Sequence, residues 1–309
     1  MAVLRGRTLA MYIGLCIVWG STWMAIKLGL RDLPPLRFAG LRMALACLLL
    51  TPFAFARSGR PPAGVERRWI AFSGFLQIGL SYACIFLASQ WIESGLAALL
   101  FATFPIFVGL FAHFQLPEEP LTWRTVASAC LGLFGVAVIE APELAEAFSR
   151  ETRPLLAGGA LVLTSALVSG YANVINKKHL GGVSPFMNVW GQTLVGSAFL
   201  LAAALLFEKG TPARWTPSSA GALVYLAVIG TALPFVGLFW LIRRVPVSVI
   251  GTIPVVDTVI AIVLGNLILG ETFPPRVLAG GAFILVGVLM VAATRRARSG
   301  KERSLNSTA

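Results

Sequence analysis

L-P-E-E-P-L-T-W-R-T-V-A-S-A-C-L-G-L-F-G-V-A-V-I, from Leu116 to Ile139, returns 152 positions later as I-L-G-E-T-F-P-P-R-V-L-A-G-G-A-F-I-L-V-G-V-L-M-V, from Ile268 to Val291. This register lays Glu119 on Glu271, Arg124 on Arg276 and Gly135 on Gly287. A glutamate, a short turn, an arginine and an apolar helix rich in small residues thus occur twice. The chain reads as two copies of one unit. A shift of 150 positions extends the match, with Lys27 on Lys177, Pro35 on Pro185 and Arg42 on Gln192.

Of the 309 residues, 57% are hydrophobic and 12% charged, against roughly 25% charged in a soluble domain. Mean hydropathy is +0.82. A water-soluble fold could not hide that much apolar surface, and apolar runs near helix-spanning length recur along the chain. Cys16, Cys47, Cys84 and Cys130 all lie inside such runs without paired spacing, as small hydrophobes do. No metal and no cofactor is expected. The net charge of +12 raises the question of nucleic acid, yet no basic helix or aromatic-basic module supports it.

Ten runs can be cut out: Leu9–Leu28, Leu36–Phe55, Trp69–Ala88, Leu96–Leu116, Thr122–Ile139, Leu155–Ile175, Phe186–Phe207, Ala220–Ile242, Val247–Leu269 and Val277–Ala293. Each is long enough for a hydrocarbon core of about 30 Å at about 1.5 Å per residue. With the N-terminus inside, sixteen of the 25 basic residues fall in cytoplasmic segments, and eight of the 13 acids fall on the other side. The positive-inside bias therefore places both termini in the cytoplasm. An even number of spans is required to do so. Arg5 and Arg7 before the first run resemble a signal peptide, but the run is too long and has nine successors, so it reads as a retained helix.

Two units of five helices follow, residues 9–140 and 155–293. They are joined by an extracytoplasmic connection at 141–154, and flanked by a cytoplasmic N-terminus at 1–8 and a basic cytoplasmic tail at 294–309. Five is odd, so the second unit enters the membrane upside down. The expected fold is all-α, with ten transmembrane helices in two inverted repeats, an architecture suited to alternating access.

These segments resemble the drug/metabolite transporter superfamily, specifically an EamA-type carrier. The resemblance is carried by W-G-S-T-W at Trp19–Trp23, R-M-A-L-A from Arg42, the mid-helix Pro105, and the two segments ending in G-V-A-V-I and G-V-L-M-V. Where that family usually has a proline in its ninth helix, this chain has Asp257, and its own proline is Pro254. The resemblance implies export of small metabolites such as amino acids, or of amphipathic drugs, across a cell (inner) membrane. A small-molecule substrate is then the partner beside the bilayer, with the substrate gradient or protons as the energy source, while monomer and homodimer both stay open.

Enzyme readings fail on the residues. There is no G-x-x-x-x-G-K-[ST] phosphate cradle and no H-E-x-x-H. The only histidines, His113 and His179, pair with no serine at membrane depth. What remains is polar groups in apolar runs, each costly unless it faces a cavity or a partner.

Asp257 is the sharpest of these. Three readings stay open for it: an ion-pair partner for Arg42, a proton-coupling site, or a ligand for a substrate amine. Arg42 either pairs with Asp257, snorkels to the outer interface, or binds a substrate carboxylate. Trp19, Trp23, Gln77 and Tyr82 are candidate cavity residues, with core packing as their alternative. Tyr171, Asn173 and Asn176 match the W-G-S-T-W region of the other unit. They form a candidate cytoplasmic gate facing it, or a solvated helix end. Pro105, Pro234 and Pro254 are expected to break helices near the midplane. Glu119 and Glu271 each precede a helix whose N-terminus a carboxylate would stabilise, and Gly132, Gly135, Gly280 and Gly281 suggest close packing within each half. A membrane receptor or assembly scaffold that transports nothing is the rival reading; it needs no polar groups at the midplane.

Overall fold

The computed structural model describes residues 6–57, 62–116, 123–145, 152–242, 253–287 and 289–290, and among these the chain is helical with no strand. The helices are α1 (Arg7–Gly29), α2 (Pro35–Arg57), α3 (Gly64–Ala88), α4 (Ser94–Gln115) and α5 (Trp123–Ala145). They continue as α6 (Thr152–His179), α7 (Pro185–Phe207), α8 (Pro217–Ala227, Val228–Ala232 and Leu233–Ile242), α9 (Ile253–Leu264 with Gly265–Leu269) and α10 (Pro275–Gly287). Apolar sequence in a medium without water must satisfy its backbone internally, which is why the described part of each run is helical. Proline opens α2, α7 and α8, where its missing N–H would have had no helical partner.

Among the described residues seven helices are long and apolar enough to cross a membrane, ending with the stretch Pro217–Phe235 of α8. Cys130–Ile139, Val256–Leu269 and Pro275–Gly287 are shorter apolar helices. The outward side chains are apolar too: Leu205 and Leu206 are 75% exposed and Phe207 80%. Such a surface belongs in lipid, and the protein is a multi-pass membrane protein.

Lipid tails are as apolar as leucine, so close packing and interhelical hydrogen bonds hold these helices together. α2 lies along α7, and α3 lies on α7 beside it. α1 packs on α8 and α9, while α6 packs on α3 and α4. Glycines set the closest approaches. A Cβ added at Gly40 would lie 2.8 Å from Leu201, and one at Gly74 would lie 2.7 Å from the Gln192 backbone. Phe38 and Phe86, both fully buried, meet edge to face at 5.4 Å in the largest core.

The small-residue expectation needs a correction. Gly132 does receive Ile106 of its own half, but a Cβ at Gly280 would lie 2.6 Å from the Gly135 carbonyl oxygen, and one at Gly281 would lie 2.8 Å from Leu99. These contacts join α10 to α5 and α4. Small residues therefore close the seam between halves, because that is where two backbones approach most tightly.

Candidate functional site

Arg42, in the first half of α2, is 2% exposed. Its surroundings follow from a break in α8. Pro234 has no N–H, so the Gly230 carbonyl four residues earlier loses its helical donor. The helix widens into a π turn over Val228–Ala232, where Leu233 N donates to the Val228 carbonyl. Arg42 fills the gap: its Nη2 donates to Gly230 O at 3.5 Å and its Nε to Thr231 Oγ1 at 3.2 Å. Thr231 in turn donates to the Leu226 carbonyl at 2.9 Å. The guanidinium carbon lies 5.2 Å from the centre of the Tyr82 ring, a cation–π contact worth about 2 kcal/mol when desolvated.

Asp257 does not complete this group. Its carbonyl approaches Gly20, and its carboxylate acts electrostatically on Cys16, both on α1. No ion pair joins it to Arg42 among the described residues, so the ion-pair reading is corrected. The physical reason is that Arg42 is already taken by the carbonyl and hydroxyl that the α8 break exposes. Asp257 is only partly buried, and Trp19 packs edge-on to Phe235 at 6.3 Å in the adjoining cluster with Leu15, Cys16, Leu241 and Ile253.

A second polar group lies on α3, α6 and α7. Asn173 Nδ2 donates to Gln77 Oε1 at 3.0 Å and to the Ser169 carbonyl at 3.1 Å. Ser81 Oγ sits 2.7 Å from Ser165 Oγ and accepts from Ser169 Oγ at 2.8 Å. Asn176 Oδ1 accepts from Asn188 Nδ2 at 3.2 Å and from Gln192 Nε2 at 2.9 Å. Gln77 lies in the π turn Phe75–Leu80, which widens α3 as its counterpart widens α8. Tyr171 meets Phe111 of α4 edge to face at 5.2 Å.

The candidate cavity residues thus sit in separate groups. Tyr82 is with Arg42, Gln77 with Asn173, and Trp19 with the α8 and α9 side chains. Trp23 is buried against Phe101 at 5.7 Å. The W-G-S-T-W segment and the Tyr171–Asn176 segment make no hydrogen bond or ring contact with each other among the described residues. Each is taken up by the helices it packs on: Ser21 bonds Tyr225 of α8 at 2.5 Å, while Asn173 bonds α3. The sequence reading missed Ser81, Ser165, Asn188, Gln192 and Thr231. Asn188 and Gln192 did carry a signal, being polar residues four apart on one face of an apolar helix.

The breaks are of different kinds. In α4 the helix stops at Phe101 and restarts at Phe104 with Pro105 in its first turn, and Thr103 Oγ1 donates to the Leu100 carbonyl at 2.7 Å. Pro254 is the second residue of α9 as described, and the residues before Ile253 lie outside the described set, as does Glu119. Glu271 corrects another expectation. Its carboxylate accepts from Ser94 N at 2.7 Å, Ser94 Oγ at 2.8 Å and Gly95 N at 3.2 Å. It therefore caps α4 rather than the helix that follows it, because the loop after α9 delivers it to the free N–H groups of another helix. Glu208 serves α2 the same way, accepting from Leu36 N at 2.7 Å and Arg37 N at 2.9 Å.

Broken apolar helices with polar side chains between them define a multi-pass helical membrane protein. The comparison with known proteins names the group. The chain belongs to the EamA-like transporter family, whose model matches residues 6–141 and again 156–293. It is 31% identical to the uncharacterized transporter YoaV of Bacillus subtilis (strain 168), covering 90% of this chain and 94% of that one. It is 27% identical to the uncharacterized inner membrane transporter YedA of Escherichia coli (strain K12), covering 93% and 90%. It is 26% identical to a probable terminal-alkyne amino-acid exporter of Streptantibioticus cattleyicolor, covering 89% and 90%. One solved crystal structure superimposes with a TM-score of 0.63 at 22% identity, over 92% of this chain and 96% of that one; this likeness concerns the fold. The family and these relatives are transporters, not enzymes.

Proposed function

We propose that the protein is a ten-helix secondary carrier of the inner membrane that exports small carboxylate-bearing metabolites of amino-acid type. It works by alternating access between two inverted five-helix repeats, with both termini in the cytoplasm. The observation that carries this reading is Arg42: a fully buried cation with no carboxylate ion pair among the described residues, beside an aromatic ring and at a helix break. A buried charge without a counter-ion is costly, and a substrate carboxylate supplies one. The likeness to an amino-acid exporter supports the same substrate class.

The repeat reading is supported by the packing. Exchanging helices one to five with six to ten turns the contacts of α1 with α8 and α9 into those of α6 with α3 and α4, and it maps the α2–α7 and α5–α10 pairs onto themselves. The π turns of α3 and α8 exchange likewise. Asp257, partly buried against α1 with no ion pair to a described residue, is the proposed proton-coupling group, and Tyr171, Asn173 and Asn176 form the proposed cytoplasmic gate, with Gln77 hydrogen-bonded to Asn173.

Counterflow in proteoliposomes loaded with a mixture of L-amino acids tests the reading. The native chain should accumulate labelled amino acid against no net gradient. Arg42→Met should fold and raise KM by roughly 10- to 100-fold, the loss of one charge-assisted hydrogen bond of about 1.5–3 kcal/mol. No counterflow by the native chain, or Arg42→Met transporting as well as it does, would overturn the proposal.

A further inference from the structure

Resting on the carrier reading, we infer that a cleft at the far end of α1 from the N-terminus is a second binding site, for a small zwitterion with one carboxylate and one ammonium group. The cleft has a volume of about 500 Å³ and is lined by Lys27 and Arg31 of α1, Ser89, Gln90 and Glu93 between α3 and α4, and Glu271 after α9. That volume is in the range of ligand pockets, roughly 300–1,000 Å³. With both termini in the cytoplasm it opens outside, on the release side of an exporter.

The charges show what would fit. Lys27 Nζ spends two donors on the Ser89 and Ile92 carbonyls, at 3.0 and 2.5 Å. Glu271 is filled by its three bonds to Ser94 and Gly95. These two groups build the rim by holding the α3–α4 connection from opposite sides. Arg31 and Glu93 retain capacity: the Arg31 guanidinium makes no hydrogen bond or ion pair with a described residue, and Glu93 accepts one backbone N–H, from Thr272. No two of the four charges form an ion pair within the cleft among the described residues. Two cations and two carboxylates cancel overall yet stand apart, so a bare anion meets Glu93 and Glu271 and a bare cation meets Lys27 and Arg31. A zwitterion satisfies both ends at once, with its carboxylate on the Arg31 fork and its ammonium on Glu93. Burial and the charge of Glu271 push the Glu93 carboxyl above its ordinary range, partly offset by Lys27. A ligand ammonium on Glu93 would offset that repulsion.

The test uses Gln90→Cys in a full-length chain whose four native cysteines are replaced by serine, labelled on intact cells with a membrane-impermeant maleimide. Four probes are compared: the standard L-amino acids other than cysteine as a mixture, the same mixture as carboxamides, the same mixture without amino groups, and inorganic phosphate. The L-amino acids should slow labelling about fivefold at an occupancy near four-fifths. The other three should leave it unchanged. Arg31→Gln or Glu93→Gln should each abolish the protection, with expression and thermal unfolding confirming that the variants fold. Unchanged labelling with L-amino acids overturns the site, as does equal protection by the carboxamides, the des-amino acids or phosphate. Counterflow of the same mixture separates the two proposals: flux without protection removes this site alone, and protection without flux removes the carrier reading alone.

Discussion

Glu271 is a buried carboxylate that reaches back 177 residues in sequence to the first two backbone N–H groups of α4. Replacing it with glutamine keeps the volume and one acceptor oxygen, but removes the charge and the oxygen shared by Ser94 Oγ and Gly95 N. Net hydrogen bonds to a charged group are worth about 1.5–3 kcal/mol, and a carboxylate at a helix N-terminus adds about 0.3–1 kcal/mol at exposed sites and more when buried. Ser94 can turn its hydroxyl elsewhere, and loss of the like charge relieves Glu93. The expected net cost of Glu271→Gln is therefore about 2 kcal/mol, and of Glu271→Ala about 3 kcal/mol, since alanine leaves two buried donors unmet. For a chain of 309 residues about 2 kcal/mol lowers Tm by roughly 3 °C, which thermal unfolding in mild detergent can read. A double-mutant cycle with Ser94→Ala decides the geometry. If Glu271 caps α4, the two changes share a partner and fall short of additivity by about 1 kcal/mol. Additive effects, or a glutamine variant that unfolds where the native chain does, would refute the capping argument.

Asp257→Asn should leave counterflow intact and abolish the pH dependence of proton-driven flux; an unchanged pH profile removes Asp257 as the coupling group. Gly280→Val drives a side chain into the Gly135 carbonyl, where backbone cannot yield, so it should cost about 1–3 kcal/mol. Gly221→Ala, with open space around it, should be neutral or stabilising by about 0.5–1 kcal/mol. Equal effects of these two in thermal unfolding would refute the seam. Glu93→Gln tests pH linkage. The folded chain holds this proton more tightly than the unfolded chain, so stability falls as pH rises from the ordinary carboxylate range through the raised one. Glu93→Gln should therefore unfold at higher temperature than the native chain in neutral buffer and at the same temperature in acid; no difference in neutral buffer counts against the linkage.

Sequence revealed the apolar helices and the duplicated unit because hydropathy reports depth along a helix, and depth is what lipid selects. It did not reveal azimuth. α1 and α6 spread their apolar side chains round the whole helix, so nothing in the run around Leu15 or Val162 says which face meets which neighbour. Arg42 shows the consequence. Its charge marked it as buried in a special place, but its partner is a carbonyl freed by Pro234, and a backbone group leaves no letter in the sequence. Glu271 was legible as a helix-capping residue and assigned to the wrong helix, since local spacing favours the nearest N-terminus. Asn188 and Gln192 had the right spacing and were outweighed by the sharper single charges around them.

The seating of α1 against α8 and α9 bears on how the molecule is made. Translation delivers α1 to the bilayer well before the helices that cover it, which begin at Pro217 and Ile253. Until they arrive, the Ser21 hydroxyl has the Val18 carbonyl of its own helix but lacks Tyr225, and Gly20 lacks the Asp257 and Ile260 atoms that close on it. A nascent chain stalled midway would be left with an uncovered α1 face. Two separately translated halves should each be short-lived alone and become durable when synthesised together in one cell.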